Sequence, residues 1–158
     1  MSSTNPSPDH RQTLIPYLRV RGAASALEFY KKAFGAVEII RVYVPGSETI
    51  MHASIRIGNS MLMLSDEFPQ WKSFSPLSLN GTGSLVHINV DDVDKAFAQA
   101  VAAGAKVTMP VANMFWGDRY GKLIDPYGHE WSMATHVEEV SAEEMQQRAV
   151  TMFPKPQA

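Results

Sequence analysis

The sequence contains no cysteine, which excludes thiol catalysis and thiolate metal sites. Histidines, carboxylates and arginines are therefore the side chains to consider first for chemistry. His52 and His87 each alternate with apolar residues in a strand-like segment, and Asp66 and Glu67 follow a third apolar segment. Two histidines and one carboxylate form the ligand set of non-haem iron centres, so these residues could hold a divalent ion. The same histidines could equally line a binding surface and form hydrogen bonds there.

Two arginines and two aromatic residues suggest a ligand that is anionic or aromatic. Arg19 and Arg56 alternate with apolar residues, and guanidinium groups form paired hydrogen bonds with carboxylate, phosphate or enolate oxygens. Phe115 and Trp116 follow a polar loop at the start of a predicted hairpin. Two rings in such a place either form a stacking wall for a ligand or pack into the core, and both interpretations stay open.

The segment GDRYG places two ionisable residues, Asp118 and Arg119, just after Trp116. They could act on a ligand, or Asp118 could cap its own turn while Arg119 pairs with a nearby carboxylate. Two further aromatic residues, Trp71 and Phe74, lie in a segment without sustained periodicity. They could cover a binding site or attach that segment to the core.

Composition and charge limit the classes of protein. A chain of 158 residues with 45% apolar content is long enough for one compact domain or for two small halves that share a core. The net charge of -2 and the scattered Lys and Arg residues argue against nucleic acid and anionic membranes as partners. The sequence shows no signal-peptide pattern and no segment long enough to span a bilayer, so a soluble, cytoplasmic protein is expected.

Apolar periodicity predicts the same order of elements twice. A period of two marks strands, and apolar residues at spacings of three and four mark a helix after the first strand of each half. Each half is therefore predicted to be β-α-β-β-β. The predicted organisation is a disordered N-terminus over 1–12, a first module over 13–64, a connection over 65–82, a second module over 83–136, and a C-terminal helix and tail over 137–158.

A comparison of the chain with itself at a fixed shift supports a duplication. The two halves share a Gly-Ala pair, at residues 35–36 and 104–105, at a shift of 69 residues. Three further matches have a shift of 70 residues: Val20 with Val90, Gly58 with Gly128, and Met63 with Met133. Two copies of one supersecondary unit follow from these matches.

Several turns and helix ends are also predicted from local sequence. Residues 125–128, DPYG, form a β-turn sequence within a hairpin over 115–132, because proline presets φ at the second position and glycine tolerates positive φ. Gly35 is expected to end the first helix, Asp91 or Asp92 to cap the second, and Ser141 to open the C-terminal helix in a capping box.

Four segments of the chain, taken in order, resemble a known family. They are PYLRVRGAASALEFYKKAFGA, HASIRIGNSMLMLSDEFP, VHINVDDVDKAFAQAVAAGAKV and WGDRYGKLIDPYGHEW. They resemble the vicinal oxygen chelate superfamily of glyoxalases, bleomycin resistance proteins and extradiol dioxygenases, and within it the PhnB-like branch. The resemblance implies an α+β fold in which two βαβββ modules form a curved half-barrel sheet, with helices outside and a ligand cleft inside.

On that frame, apolar strand residues should face the helices and the alternating polar residues should face the cleft. The apolar set consists of Leu18, Val20, Ala53, Ile55, Val86, Ile88, Trp131 and Met133. The residues predicted to bind a ligand are Tyr17, Arg19, His52, Arg56, His87, Asn89, Phe115, Trp116, Arg119 and Ser132.

The sequence departs from the metal-dependent members of the superfamily at their ligand positions. The resemblance places these positions on Ile15 and Leu85, near the first strand of each module, and on Ser132, three residues after the histidine of the DPYGH turn. None of the three side chains has the imidazole or carboxylate group that a divalent ion prefers. No cofactor and no metal is therefore expected, and a displaced site at His52 and His87 is the alternative.

Three functions stay open at this point. The first is a homodimeric, PhnB-like protein that binds a small aromatic or anionic molecule in its cleft without the usual metal centre. The second is a metal-dependent lyase or dioxygenase of the same superfamily that uses the displaced site. The third is a dimeric scaffold with no small ligand.

Overall fold

A computed structural model describes residues 12–153 of the chain. Contacts within the chain divide it into two compact units, Met1–Gly81 and Thr82–Ala158. The predicted disorder lies outside the described residues, both at the N-terminus up to residue 11 and in the tail after Phe153. No helix within residues 12–153 is long and apolar enough to cross a membrane.

Within residues 12–153, eight strands and three longer helices follow one another in the order that periodicity predicted, and a short fourth α-helix lies in the predicted connection. The strands are β1 (Tyr17–Val20), β2 (Val37–Tyr43), β3 (Ile50–Ile57), β4 (Ser60–Asp66), β5 (Leu85–Asn89), β6 (Lys106–Asn113), β7 (Asp118–Ile124) and β8 (Glu130–His136). The helices are α1 (Ala23–Phe34), α2 (Pro76–Leu79), α3 (Val93–Ala103) and α4 (Ala142–Met152), with a 3-10 helix at Pro69–Trp71. The predicted connection therefore contains two short helices.

Each unit contains one four-stranded mixed sheet with the same topology. The strand order is β1-β4-β3-β2 in the first unit and β5-β8-β7-β6 in the second. The outer pair β1 and β4 is parallel, as is β5 and β8, and the remaining neighbours are antiparallel. The predicted α+β fold of two βαβββ modules with a C-terminal helix is confirmed.

Equivalent hydrogen bonds join the last strand of each module to the start of its helix. In the first unit Asp66 Oδ1 accepts from the backbone N–H of Ala23 at 2.8 Å. In the second unit Thr135 Oγ1 accepts from the backbone N–H of Val93, also at 2.8 Å. Both contacts satisfy a backbone donor that the first turn of a helix leaves free. The duplication therefore extends to the contacts that fix each helix on its sheet.

The predicted match of Met63 with Met133 was wrong by one residue. Leu18 pairs with Leu64 in the first sheet, and Ile88, which is 70 residues further along, pairs with Met133 in the second. Met133 is therefore the counterpart of Leu64. Leu18 and Leu64 are 46 positions apart and Ile88 and Met133 are 45 apart, so one fixed shift cannot match both the first and the last strand of the two modules.

The apolar face of each sheet packs under the helix of its own module. Leu18, Val20, Ala53, Ile55, Trp131 and Met133 are all buried, as their alternation predicted. Val86 and Ile88 on β5 are only half-buried. Tyr17 and Arg19 alternate with the buried residues of β1 and are exposed, so they lie on the opposite face of the sheet.

The predicted helix ends are present. Gly35 follows α1 with φ of 64°, a left-handed conformation that costs glycine little, and its N–H closes the helix on the carbonyl of Lys31. Asp92 caps α3 by accepting from the N–H of Lys95 at 3.1 Å. Ser141 caps α4 by accepting from the N–H of Glu144 at 3.1 Å. Local sequence was sufficient for these ends because a cap involves only neighbouring residues.

Candidate functional site

The polar face of the first sheet brings together three side chains from two strands. The Tyr17 hydroxyl lies 3.0 Å from Nδ1 of His52, and Nε2 of His52 lies 3.1 Å from Oγ of Ser54. The Tyr17 and His52 ring centroids are 5.6 Å apart. Ser54 is buried and Tyr17 is 44% exposed, so the chain of hydrogen bonds runs from the interior to the surface of the unit.

The polar face of the second sheet holds a serine, a histidine and an asparagine in hydrogen-bonding contact. Oγ of Ser132 lies 2.7 Å from Nδ1 of His87, and Nε2 of His87 lies 3.1 Å from Oδ1 of Asn89. These groups resemble a nucleophile, a base and an orienting residue in kind. Ser132 has no exposed surface, however, so its hydroxyl orients the His87 ring and is not placed to attack a substrate.

An aromatic row in the second unit continues from His87. Phe115 contacts Trp116 with ring centroids 5.1 Å apart, and Trp116 contacts Tyr120 at 5.4 Å, both edge to face. Tyr120 stacks on His87 at 6.0 Å with 17° between the ring planes. We call these four side chains, Phe115, Trp116, Tyr120 and His87, the aromatic row. Tyr120 was not among the predicted site residues, because its face of the sheet follows from the register of β7 on β8.

The Trp116 ring is fixed by a carboxylate that also binds a histidine. Oδ2 of Asp118 accepts from Nε1 of Trp116 at 2.9 Å, and Oδ1 lies 3.0 Å from Nδ1 of His136. Nε2 of His136 lies 2.9 Å from Oε1 of Glu139. The hydrogen bonds with Asp118 and Glu139 raise the pKa of His136 above its ordinary value of 6.5. His136, the last residue of β8, therefore connects two carboxylates.

The raised pKa of His136 predicts a pH dependence of stability. A group whose pKa is higher in the folded state stabilises that state when protonated, so the stabilisation is present below pH 6.5 and is lost as pH rises through the raised pKa. Between about pH 5.5 and about pH 8.5, the free energy of unfolding of the wild type should fall relative to that of His136→Gln. Chemical denaturation of both proteins measures this, and parallel pH profiles would contradict it.

The segment after β8 holds the turn that carries Phe115 and Trp116. The Gly117 carbonyl accepts from the backbone N–H groups of Val137 and Glu138, both at 3.0 Å. Arg148 of α4 forms ion pairs with Glu138 and Glu144 and donates to the Phe115 carbonyl at 3.4 Å. The C-terminal helix therefore helps to position the aromatic row.

The three predicted arginines have different surroundings. Arg19 is exposed on β1, on the same face as Tyr17. Nη1 of Arg56 donates to the Gly58 carbonyl at 2.8 Å in the turn between β3 and β4. Arg119 forms a two-point ion pair with Asp94 of α3, at 2.6 and 2.7 Å, which lowers the pKa of Asp94. The interpretation that Arg119 pairs with a nearby carboxylate is confirmed, and its role toward a ligand stays a prediction.

The carboxylates considered for a displaced metal site are engaged within the first unit. Asp66 accepts from the backbone N–H groups of Ala23 and Ile50, at 2.8 and 2.7 Å. Burial raises the pKa of Glu67, but hydrogen bonds from Ser75, Ser78 and Arg21 outweigh it and lower the pKa to about 2. Among residues 12–153, no three His, Asp or Glu side chains form a group that could hold a metal ion.

The ligand positions that the resemblance assigns to metal-dependent relatives hold side chains unsuited to a metal. Ile15 precedes β1, and Leu85, which opens β5, is 38% exposed. The hydroxyl of Ser132 is occupied by His87. The donor set at these positions therefore does not fit a divalent ion, since it offers one neutral hydroxyl and two alkyl groups.

Comparison with known proteins identifies the family. Residues 9–133 match the family model of the glyoxalase/bleomycin resistance protein/dioxygenase superfamily. The chain belongs to this superfamily. The uncharacterized protein Rv0887c of Mycobacterium tuberculosis is 47% identical over 136 residues, which cover 84% of this chain and 79% of that protein.

Two solved structures are also similar to this chain in fold. Protein PA1353 of Pseudomonas aeruginosa has a TM-score of 0.65 and 25% identity, and the match covers 79% of this chain and 98% of that one. A PhnB protein from Bacillus cereus has a TM-score of 0.61 and 18% identity, and the match covers 78% of this chain and 99% of that one. At this identity the second likeness concerns the fold alone.

Proposed function

We propose that this protein binds a small aromatic or anionic molecule, without the metal centre used by metal-dependent members of the superfamily. The aromatic row carries this proposal. Its four rings lie in contact in the second unit, next to Asn89, whose exposed amide supplies a hydrogen-bonding group. Flat ligands are recognised by such rings combined with a few polar groups.

The first sheet offers a different chemistry that suits the same class of ligand. Its polar face carries Tyr17, His52 and two arginines, Arg19 and Arg56. Guanidinium groups favour carboxylate, phosphate and phenolate oxygens through charge-assisted hydrogen bonds. The polar face of the first unit is therefore suited to the acidic group of a ligand.

A matched pair of tryptophan variants tests the aromatic part of the proposal. We expect 2-naphthoate to bind saturably in a calorimetric titration, and Trp116→Ala to weaken binding by about tenfold, because a stacked ring contributes on the order of 1 kcal/mol. Trp71→Ala is the control, since Trp71 lies in the connection and is 69% exposed. Absence of saturable binding, or equal effects of both variants, would contradict the proposal.

Elemental analysis tests the metal-free part. Protein purified without added metal should contain well below one ion per chain, and addition of iron, manganese, nickel or zinc should leave 2-naphthoate affinity unchanged, because the inherited ligand positions lack donors. Stoichiometric metal would support the alternative, an enzyme that uses a displaced site at His52 and His87. That alternative would require Asp66 or Glu67 to leave its present partners.

The proposal includes a homodimer of the PhnB-like kind in the cytoplasm. Strand β2 lies at the edge of its sheet and exposes five apolar residues: Val37, Ile39, Ile40, Val42 and Tyr43. An exposed apolar edge strand favours pairing with another chain, which supports self-association. Light scattering of the purified protein measures the mass of the particle, and a monomeric mass at micromolar concentration would remove the dimer from the proposal.

A further inference from the structure

The first unit holds a tyrosine and a histidine whose polar atoms are placed for proton transfer. The Tyr17 hydroxyl lies 3.0 Å from Nδ1 of His52, and Ser54 holds the other ring nitrogen at 3.1 Å. Ser54 is only 5% exposed, so its contact fixes the His52 ring from the interior. Tyr17 is 44% exposed, so a ligand can reach its hydroxyl from the surface.

We propose that Tyr17 and His52 accept a proton from a weakly acidic aromatic hydroxyl, so that the protein binds a phenol as its phenolate. The O–H bond of the phenol breaks and its proton passes to the Tyr17 oxygen, while the proton of Tyr17 passes to Nδ1 of His52. Two protons shift, and the net change is the transfer of one proton from the phenol to His52. The products are a phenolate and an imidazolium whose Nε2–H donates to Ser54.

The chemistry of imidazole limits the ligand to an acid of suitable strength. An imidazole changes charge near neutral pH, so it can hold a proton taken from an acidic phenol but not one from an aliphatic alcohol. Arg19 and Arg56 are cations on the same sheet, and nearby positive charge favours an ionised oxygen. This inference rests on the proposed function, because it names the acidic group that the bound aromatic molecule would carry.

Strand pairing defines which positions of the two modules correspond. In the first sheet Tyr17 and Ser54 both lie opposite Met63, and His52 is two residues before Ser54. The tyrosine is therefore on the first strand of its module, and the histidine is on the third.

In the second sheet the two residue types are exchanged. His87 and Lys122 both lie opposite Ser132, and Tyr120 is two residues before Lys122. The histidine is thus on the first strand and the tyrosine on the third. The rings of His87 and Tyr120 stack, and both nitrogens of His87 already contact Ser132 and Asn89.

This exchange separates two roles that a tyrosine and a histidine can take. In the second unit Tyr120 contacts the imidazole by ring stacking, while the imidazole nitrogens contact Ser132 and Asn89, so this pair forms a wall for a ligand. In the first unit, Nδ1 of His52 is joined to the surface through the Tyr17 hydroxyl. The geometry therefore assigns proton uptake to the first unit and stacking to the second.

The probe for the test is 4-nitrophenol, because its phenolate absorbs visible light and its phenol form does not. At a pH at which the free probe is mostly protonated, the wild type should raise the phenolate-to-phenol ratio of the bound probe by about tenfold or more over that in solution. His52→Gln should return the ratio to its solution value, since glutamine can hold Tyr17 but cannot take a proton. Tyr17→Phe should do the same, and Tyr43→Phe, on the exposed edge strand, should match the wild type.

The possible outcomes decide between this inference and the proposed function. Loss of ionisation in both His52→Gln and Tyr17→Phe, with circular dichroism spectra unchanged and the probe still bound, supports proton uptake by the pair. No binding of 4-nitrophenol, binding without ionisation, or full ionisation in either variant overturns the inference. Each of these three results leaves the proposed function intact as long as 2-naphthoate binds and Trp116→Ala weakens it.

Discussion

Asp125→Ala should lower the free energy of unfolding by about 4 kcal/mol, because it leaves several buried donors without a partner. Asp125 is 4% exposed and accepts from the backbone N–H of Tyr127 at 2.8 Å and of His129 at 3.0 Å. Its second oxygen accepts from Nε1 of the fully buried Trp131 at 2.9 Å. One carboxylate thus fixes the turn and a large ring of the core.

The control for this prediction is Asp92→Ala, at the exposed start of α3. Asp92 accepts a single hydrogen bond from the backbone N–H of Lys95, so its loss should cost about 1 kcal/mol. Urea denaturation followed by tryptophan fluorescence and far-ultraviolet circular dichroism measures both variants. Similar losses for Asp125→Ala and Asp92→Ala would show that the contacts of Asp125 are not the cause.

Gly117→Ala should cost about 4 kcal/mol and release the segment that follows β8, because strain and overlap add. Gly117 has φ of 101°, which a residue with a Cβ rarely adopts. A Cβ at this position would overlap the carbonyl oxygen of Glu138 and lie 3.1 Å from Cγ2 of Val140. The backbone overlap cannot be relieved by a side-chain rotation, so the turn or the segment must move.

Gly46→Ala separates strain from overlap. Gly46 also has a positive φ, 74°, but no atom lies within 4 Å of a Cβ built there, so its replacement should cost only about 1 kcal/mol. Hydrogen exchange of α4 adds a local measurement, because release of the segment would expose its amides. If Gly46→Ala and Gly117→Ala lost equal stability and α4 stayed protected in both, the close approach of Glu138 would not matter.

The two variants also bear on the proposed binding surface in different ways. Gly117 lies next to Trp116, so a displaced turn should disturb the aromatic row and weaken 2-naphthoate binding as well. Asp125 lies at the other end of β7, away from the row, and its replacement should act on stability first. A loss of binding in Gly117→Ala at temperatures where the protein stays folded would connect the C-terminal segment to ligand recognition.

Much of the fold could be predicted from the sequence because its signals are local. The alternation of β1 and β3, the apolar spacing of α1, and the caps at Gly35, Asp92 and Ser141 each involve residues within a few positions of one another. The N–H of Gly128 closes the predicted turn on the Asp125 carbonyl at 3.1 Å. Period and capping residues therefore determined element type and order before any long-range contact was known.

The candidate site was only partly predictable, because it depends on which strands become neighbours. The sequence predicted that Tyr17 and His52 lie on the same face of the sheet. Their hydrogen bond, however, depends on β1 and β3 both lying next to β4. Tyr120 was missed because its face follows from the register of β7 on β8. Ser132 was expected to line a cleft, whereas burial directs its hydroxyl to His87.

The sequence by itself determined that two βαβββ modules follow one another and that a C-terminal helix comes after them. Tertiary structure decided the rest: that Met133 corresponds to Leu64, that Asp118 and Glu139 both contact His136, and that the Tyr–His pairs of the two units differ. The physical reason is the range of the interactions. Helix caps and turns close within a few residues, whereas register, ring stacking and side-chain burial depend on residues that are tens of positions apart in the chain.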